Sequence, residues 1–148
     1  MADIAAAAGL SRPSLYLVFP NKAAVFRALA EGLLADAVAA AEAAWPEGLA
    51  PAQGLAAAIL AKDLGVHRLL AATPHAAEIL AEAETLAGDL HKATAARFAA
   101  LATARLGDAG LARLVANAAD GLKHAGLDEA TYIADVTRLA GLVAHSGG

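Results

Sequence analysis

Apolar positions along this chain recur three and four residues apart, the period of a helix with one buried face. Two stretches show it most clearly. One is Leu111, Leu114, Val115, Ala118 and Leu122; the other is Ile133, Val136, Leu139, Ala140 and Val143. Alternating runs of the kind that make half-buried strands are nearly absent, and β-branched residues are few. Breakers divide the helical pattern. Gly9 follows the run Asp3–Ala8, and Pro20-Asn21 precedes a long run opening at Lys22. Trp45-Pro46-Glu47-Gly48 closes that run, and Thr73-Pro74, Gly107-Asp108-Ala109-Gly110 and Gly126-Leu127-Asp128 mark further boundaries. The spacing predicts seven helices, at residues 2–8, 12–18, 22–44, 51–72, 74–105 with a break near 84–88, 109–125 and 128–145. Asn21 and Asp128 suit N-caps, and Pro74 suits the first position of a helix. The expected fold class is all-α.

Composition sharpens this picture in two ways. A chain of 148 residues, 59% hydrophobic with mean hydropathy +0.53, looks membrane-like. Nearly a third of it is alanine, however, and no uncharged apolar stretch approaches the roughly 20 residues of a spanning helix. No signal peptide is readable at the N-terminus, so the expectation is a cytoplasmic protein with no membrane partner. The absence of cysteine excludes a disulfide scaffold, a thiolate zinc site and a cysteine nucleophile. The net charge of −4 is unevenly placed. Residues 1–35 carry Arg12, Lys22 and Arg27 against Asp3 and Glu31, leaving the acid excess to the remainder. A small basic segment joined to a larger acidic domain would look like this.

The first residues carry the most specific pattern. A short apolar helix ends at Gly9, the residue best able to turn left-handed. Ser11 then stands at an N-cap position, with Pro13 in the first turn of a second helix. Ile4, Ala5, Ala8, Leu10, Leu15 and Phe19 are expected to form a small core, and Arg12, Ser14, Tyr16 and Leu17 to face outward. This is a helix-turn-helix.

The run Asp3-Ile4-Ala5, Ala8-Gly9-Leu10-Ser11 and Leu15-Tyr16-Leu17-Val18-Phe19-Pro20-Asn21-Lys22 resembles the DNA-binding region of the TetR family of transcriptional regulators. The resemblance covers roughly residues 2–30. It implies a helix-turn-helix region with its connecting helix over residues 1–44, and a helical-bundle ligand-binding and dimerisation domain over residues 45–148. It implies that Ser11, Arg12, Pro13, Ser14 and Leu17 approach the major groove, and that Tyr16 and Lys22 reach phosphates. Leu17 and Val18 stand where the family often has polar or aromatic residues, which leaves base contacts chiefly to Arg12 and Ser14. The resemblance also implies an amphipathic helix ahead of Asp3; either Met1 is internal to a longer protein or the chain is a truncated relative in which that helix is missing. Weak or no specific DNA binding is therefore expected unless an upstream segment is restored. The alternative is a dimeric small-molecule-binding protein that has lost DNA binding.

For the larger domain the resemblance implies a small apolar or amphipathic effector. The candidate pocket residues are Leu64, His67, Leu70, Ile79, Phe98 and Leu101, with His67 and His75 as polar handles. The two apolar stripes are the expected homodimer face: Leu111, Leu114, Val115, Ala118 and Leu122 with Ile133, Val136, Leu139, Ala140 and Val143. A two-fold dimer implies a palindromic operator, read by a repressor. Glu78, Glu82, Glu84, Asp89 and His91 read as a solvated helix face. No His-Glu-x-x-His, phosphate loop or Gly-x-Ser-x-Gly is present, so neither catalysis nor a metal or cofactor is expected.

Overall fold

The computed structural model describes residues 1–145, with side chains through Val143. Its elements are α1 (Ala2–Ala7), α2 (Arg12–Val18), α3 (Lys22–Ala44), α4 (Pro51–Ala71), α5 (Ala76–Leu106), α6 (Ala109–Lys123) and α7 (Glu129–His145). No strand occurs among the described residues. Local chemistry sets most of the boundaries. The Asn21 side chain accepts from Ala24 N–H at 2.9 Å, and Asp108 accepts from Gly110 and Leu111 at 2.8 and 3.0 Å. Asp128 accepts from the Thr131 N–H at 3.0 Å and the Thr131 hydroxyl at 2.6 Å. Each such cap satisfies N–H groups that have no partner inside the helix. Pro74 does not open α5 as its position suggests. It lies in the turn before α5, where Thr73 Oγ1 accepts from His75 N–H, and His75 becomes the N-cap.

α5 is broken at Ala87 (φ −141°, ψ 17°), within the expected stretch. Arg27 of α3 reaches this break. Its two terminal nitrogens donate to Asp89 Oδ1 and Oδ2 at 2.7 and 2.5 Å, and one also donates to the Leu86 carbonyl at 3.0 Å. That bidentate hydrogen bonding holds the Asp89 carboxyl down at about 2, from an ordinary value of 3.8.

Helix α4 is the centre of the bundle. It borders α3, α5, α6 and α7, while α5 also packs on α3 and α6, and α6 on α7. The core joins Trp45, Leu55, Ile59, Phe98, Val115, Tyr132 and Val136 with Ala41, Ala58, Ala102, Ala112, Ala119 and Ala140. Small side chains let the backbones approach closely, so an alanine-rich chain still packs a dry interior. Trp45 closes α3 and is 1% exposed. It packs directly on Gly54 of α4: a Cβ there would fall 1.9 Å from Trp45 Cδ1. Arg105 Nε donates to the Trp45 carbonyl at 3.0 Å and fixes the corner from α5.

The N-terminal pair is attached differently. Among the described residues α1 packs on α2 alone, and neither packs on the bundle helices. Ala5 and Leu15 are buried there, Val25 in the first turn of α3 is buried as well, and Ile4 and Phe19 are half-buried. Ala8 and Leu10, expected in this small core, are exposed instead. The left-handed turn at Gly9 (φ +66°) carries Leu10 past the contact surface of two helices only six and seven residues long.

Candidate nucleic-acid interface and internal cavity

The turn between α1 and α2 is built from backbone hydrogen bonds. Gly9 N–H donates to the Ala6 carbonyl at 3.1 Å and Leu10 N–H to the Ala5 carbonyl at 2.9 Å, closing α1 over a residue with positive φ. Ser11 then caps α2. Its Oγ accepts from Ser14 N–H at 3.2 Å and lies 2.8 Å from Ser14 Oγ, and Pro13 sits in the first turn. Leu15 is the single fully buried residue of α2 and pins it to α1. Everything else on the helix but Phe19 at its end is left to solvent. Ser11, Arg12, Pro13, Ser14, Tyr16, Leu17 and Lys22 are all exposed, Leu17 by 88%. Arg12 and Lys22 make no ion pair among the described residues, whereas Arg27, one turn beyond, is committed to Asp89. Lys22 is the first residue of a 23-residue helix, where its charge adds to the positive end of the backbone dipole. The surface therefore offers two uncommitted cations, a phenol and a pair of hydroxyls beside an apolar tip.

Residues 1–29 match the family model of bacterial regulatory proteins, tetR family. The match spans the helix-turn-helix and the first turns of α3. It supports membership of this family and, with it, a DNA-binding transcriptional regulator. No curated protein and no solved structure matches the chain significantly. Among the described residues no helix is long and apolar enough to cross a membrane, and no three His, Asp or Glu side chains are grouped to hold a metal ion.

The pocket candidates are scattered by the fold. Of the six, Phe98 alone lines the cavity enclosed by α3, α4, α5 and α6. His67 is 5% exposed and stacks on Tyr132, with ring centroids 4.5 Å apart, between α4 and α7. His67 Nε2 and the Tyr132 hydroxyl have no protein partner, and burial, then the negative charge of Asp63, pushes the Tyr132 phenol up. Leu64 packs on the core, Leu70 is half-buried near the end of α4, and Ile79 and His75 lie on the exposed start of α5. Leu101 borders a shallow surface groove with Glu42, Arg97 and Arg105. Of the acidic group, Glu78, Glu82, Glu84 and Asp89 are exposed as expected, while His91 is half-buried and faces the cavity.

That cavity, about 120 Å³, lies between α3, α4, α5 and α6. Its chemistry comes from residues that periodicity did not single out. Lys62 Nζ bridges both oxygens of Asp63, at 2.7 and 2.6 Å, and lies 5.1 Å from the Phe98 ring centre. Lys123 Nζ lies 2.9 Å from Asp120 Oδ1 and 3.6 Å from Asp63 Oδ1. The side chains of Lys62, Asp63 and Lys123 are 11%, 4% and 13% exposed. Burial pushes the Lys62 ammonium down, and the Asp63 charge only partly restores it. The signal in the sequence was a Lys-Asp pair in the middle of the apolar run from Leu55 to Leu70.

The dimer candidates divide into two sets. Val115, Val136, Ala140 and Val143 belong to the protein's own core, so they are not surface residues. Leu111, Leu122 and Leu139 are partly buried against that core, Ala118 and Ile133 are half-buried, and Leu114 is 63% exposed. Ala118, Leu122 and Leu139 line a shallow, mainly apolar depression between α6 and α7, together with Gly121, Asp135, Arg138 and Leu142. A helix with a stripe wider than one contact feeds two neighbours; the inner half of the α6 stripe packs chiefly on α5 and that of α7 on α4.

Proposed function

We propose that this protein is a transcriptional repressor that binds a palindromic operator as a homodimer and is released by a small amphipathic effector held in the bundle. The observation that carries the reading is the helix-turn-helix itself. Its second helix is exposed along the positions matched to a DNA-binding family, with Arg12 and Lys22 uncommitted. Tyr16 and Lys22 contact phosphate in this reading, and Arg12 and Ser14 supply the base contacts. The outer halves of α6 and α7, with Leu114, Ala118, Leu122 and Leu139, form the subunit contact. The Arg27 clasp links the start of the connecting helix α3 to the break in α5 beside the cavity, a route by which an occupied cavity would shift α2.

Fluorescence anisotropy with DNA selected from a random pool tests it. A retained palindromic sequence, bound with a steep salt dependence, supports the reading. Binding that is equal for all sequences, or none, refutes the operator-binding role and favours a small-molecule-binding protein.

A further inference from the structure

The cavity has a defined chemical character at one end. Lys62 and Lys123 face it from α4 and α6, and the rest of its wall is largely apolar, with Val66, Leu80 and Phe98. We propose that it binds a small monocarboxylate with a compact apolar body, the carboxylate against the Lys62 and Lys123 ammonium groups and the body against Phe98, Val66 and Leu80. The inference rests on the effector reading above only for its regulatory meaning.

The two ammonium groups favour an anion at this end. Both carboxylates at this end are already matched: the buried Asp63 by Lys62 and Lys123, the exposed Asp120 by Lys123 with His124 Nδ1 3.7 Å away. Two imidazoles face the same space. His91 Nδ1 is 3.0 Å from the Ala87 carbonyl and His124 Nδ1 is 2.9 Å from the Asp120 carbonyl, so in each ring Nε2 is the free nitrogen. Lys62 and Lys123 thus balance Asp63 and Asp120, and Glu84 lines the adjoining recess. An entering cation finds no unmatched carboxylate beside Lys62 and Lys123. A neutral apolar body bound alone covers two ammonium groups with hydrocarbon, which costs free energy without a compensating partner. A carboxylate takes the ammonium N–H bonds that Asp63 and Asp120 leave over, and such charge-assisted bonds are about twice as strong as neutral ones. Size fits as well. The cavity of about 120 Å³ adjoins a second of about 160 Å³ that shares Leu80, His91, Asp120 and His124. A cavity of roughly 150 Å³ accommodates one benzene ring.

Titration calorimetry of the full chain with benzoate, benzyl alcohol and benzylammonium separates charge from shape, because the three share one ring. Benzoate is expected to bind tighter than either by roughly ten-fold or more, the size of one hydrogen bond to a charged group. Lys123→Met should weaken benzoate by a similar factor with the circular dichroism unchanged. Lys62→Met alone leaves Asp63 with one longer contact and endangers the fold. The double variant Lys62→Met/Asp63→Leu removes the pair as a unit and should also lose the preference for benzoate. Equal affinities for the three probes, tighter binding of benzylammonium, no binding of benzoate, or unchanged binding by both folded variants would overturn the proposal. Anisotropy with operator DNA is read separately. Benzoate that binds without moving DNA affinity upholds the cavity's chemistry and refutes the effector role alone.

Discussion

Gly54 is a single residue on which the corner between α3 and α4 depends. In an exposed helix interior, alanine would be favoured over glycine by about 1 kcal/mol. Here a Cβ would overlap the rigid Trp45 indole, which cannot swing aside within the core. Gly54→Ala is therefore expected to destabilise by about 1–3 kcal/mol in urea unfolding, and a gain in stability would contradict the packing described. Arg12 and Lys22 differ in a way that titration can separate. Lys22→Ala should weaken binding to all DNA sequences about equally and flatten the salt slope, because a phosphate contact carries no base information. Arg12→Ala should also narrow the gap between the selected site and unrelated DNA. Neither change appearing would mean that α2 does not meet DNA.

At the scale of elements, the contrast lies between α1–α2 and the bundle. Two helices of six and seven residues that pack on each other have little to offset the cost of helix nucleation. Amides of residues 4–18 are expected to exchange far faster than those of residues 109–140, and equal protection would show that something else covers the pair. Helix α5 offers a second test. The Asp89 carboxyl is held at about 2 by the Arg27 hydrogen bonds, against an ordinary 3.8. The folded value is the lower one, so the clasp contributes stability above the ordinary carboxylate range and loses it as pH falls through about 2. The gap in urea midpoint between the unmodified chain and Asp89→Asn should therefore shrink steadily from pH 5 to pH 2.5. A gap that stays constant would mean the two helices are not joined by this charge pair.

For the whole molecule, the divided stripes of α6 and α7 predict two different failures. Leu114→Glu places a charge on the outer surface and should yield a folded monomer by light scattering and circular dichroism. Val136→Glu places an unpaired charge in a fully buried position of the chain's own core and should unfold it, whatever the oligomeric state. If Leu114→Glu remains dimeric, the contact lies elsewhere; if the unmodified chain is already monomeric, the proposed assembly is wrong.

The seven helices and nearly all their boundaries were legible in the sequence, because helix period, caps and breakers are local properties read within a few residues. The exposed face of α2 was legible for the same reason: the Gly9 turn and the Ser11 cap leave little freedom in which side Leu15 turns inward. The break in α5 could be anticipated only as a stretch, since its stabilising partner, Arg27, comes from a helix 59 positions away. The inner and outer halves of α6 and α7 have the same periodicity, and only the packing of α5 against α6 and of α4 against α7 decides which leucine or valine is buried. The cavity was least legible of all. An apolar residue in a helical stripe gives no sign of whether it fills the core or borders a space, so five of six pocket candidates fell elsewhere. Lys62, Asp63 and Lys123 acquire their character from burial and mutual proximity, which exist only once α4 and α6 are brought together.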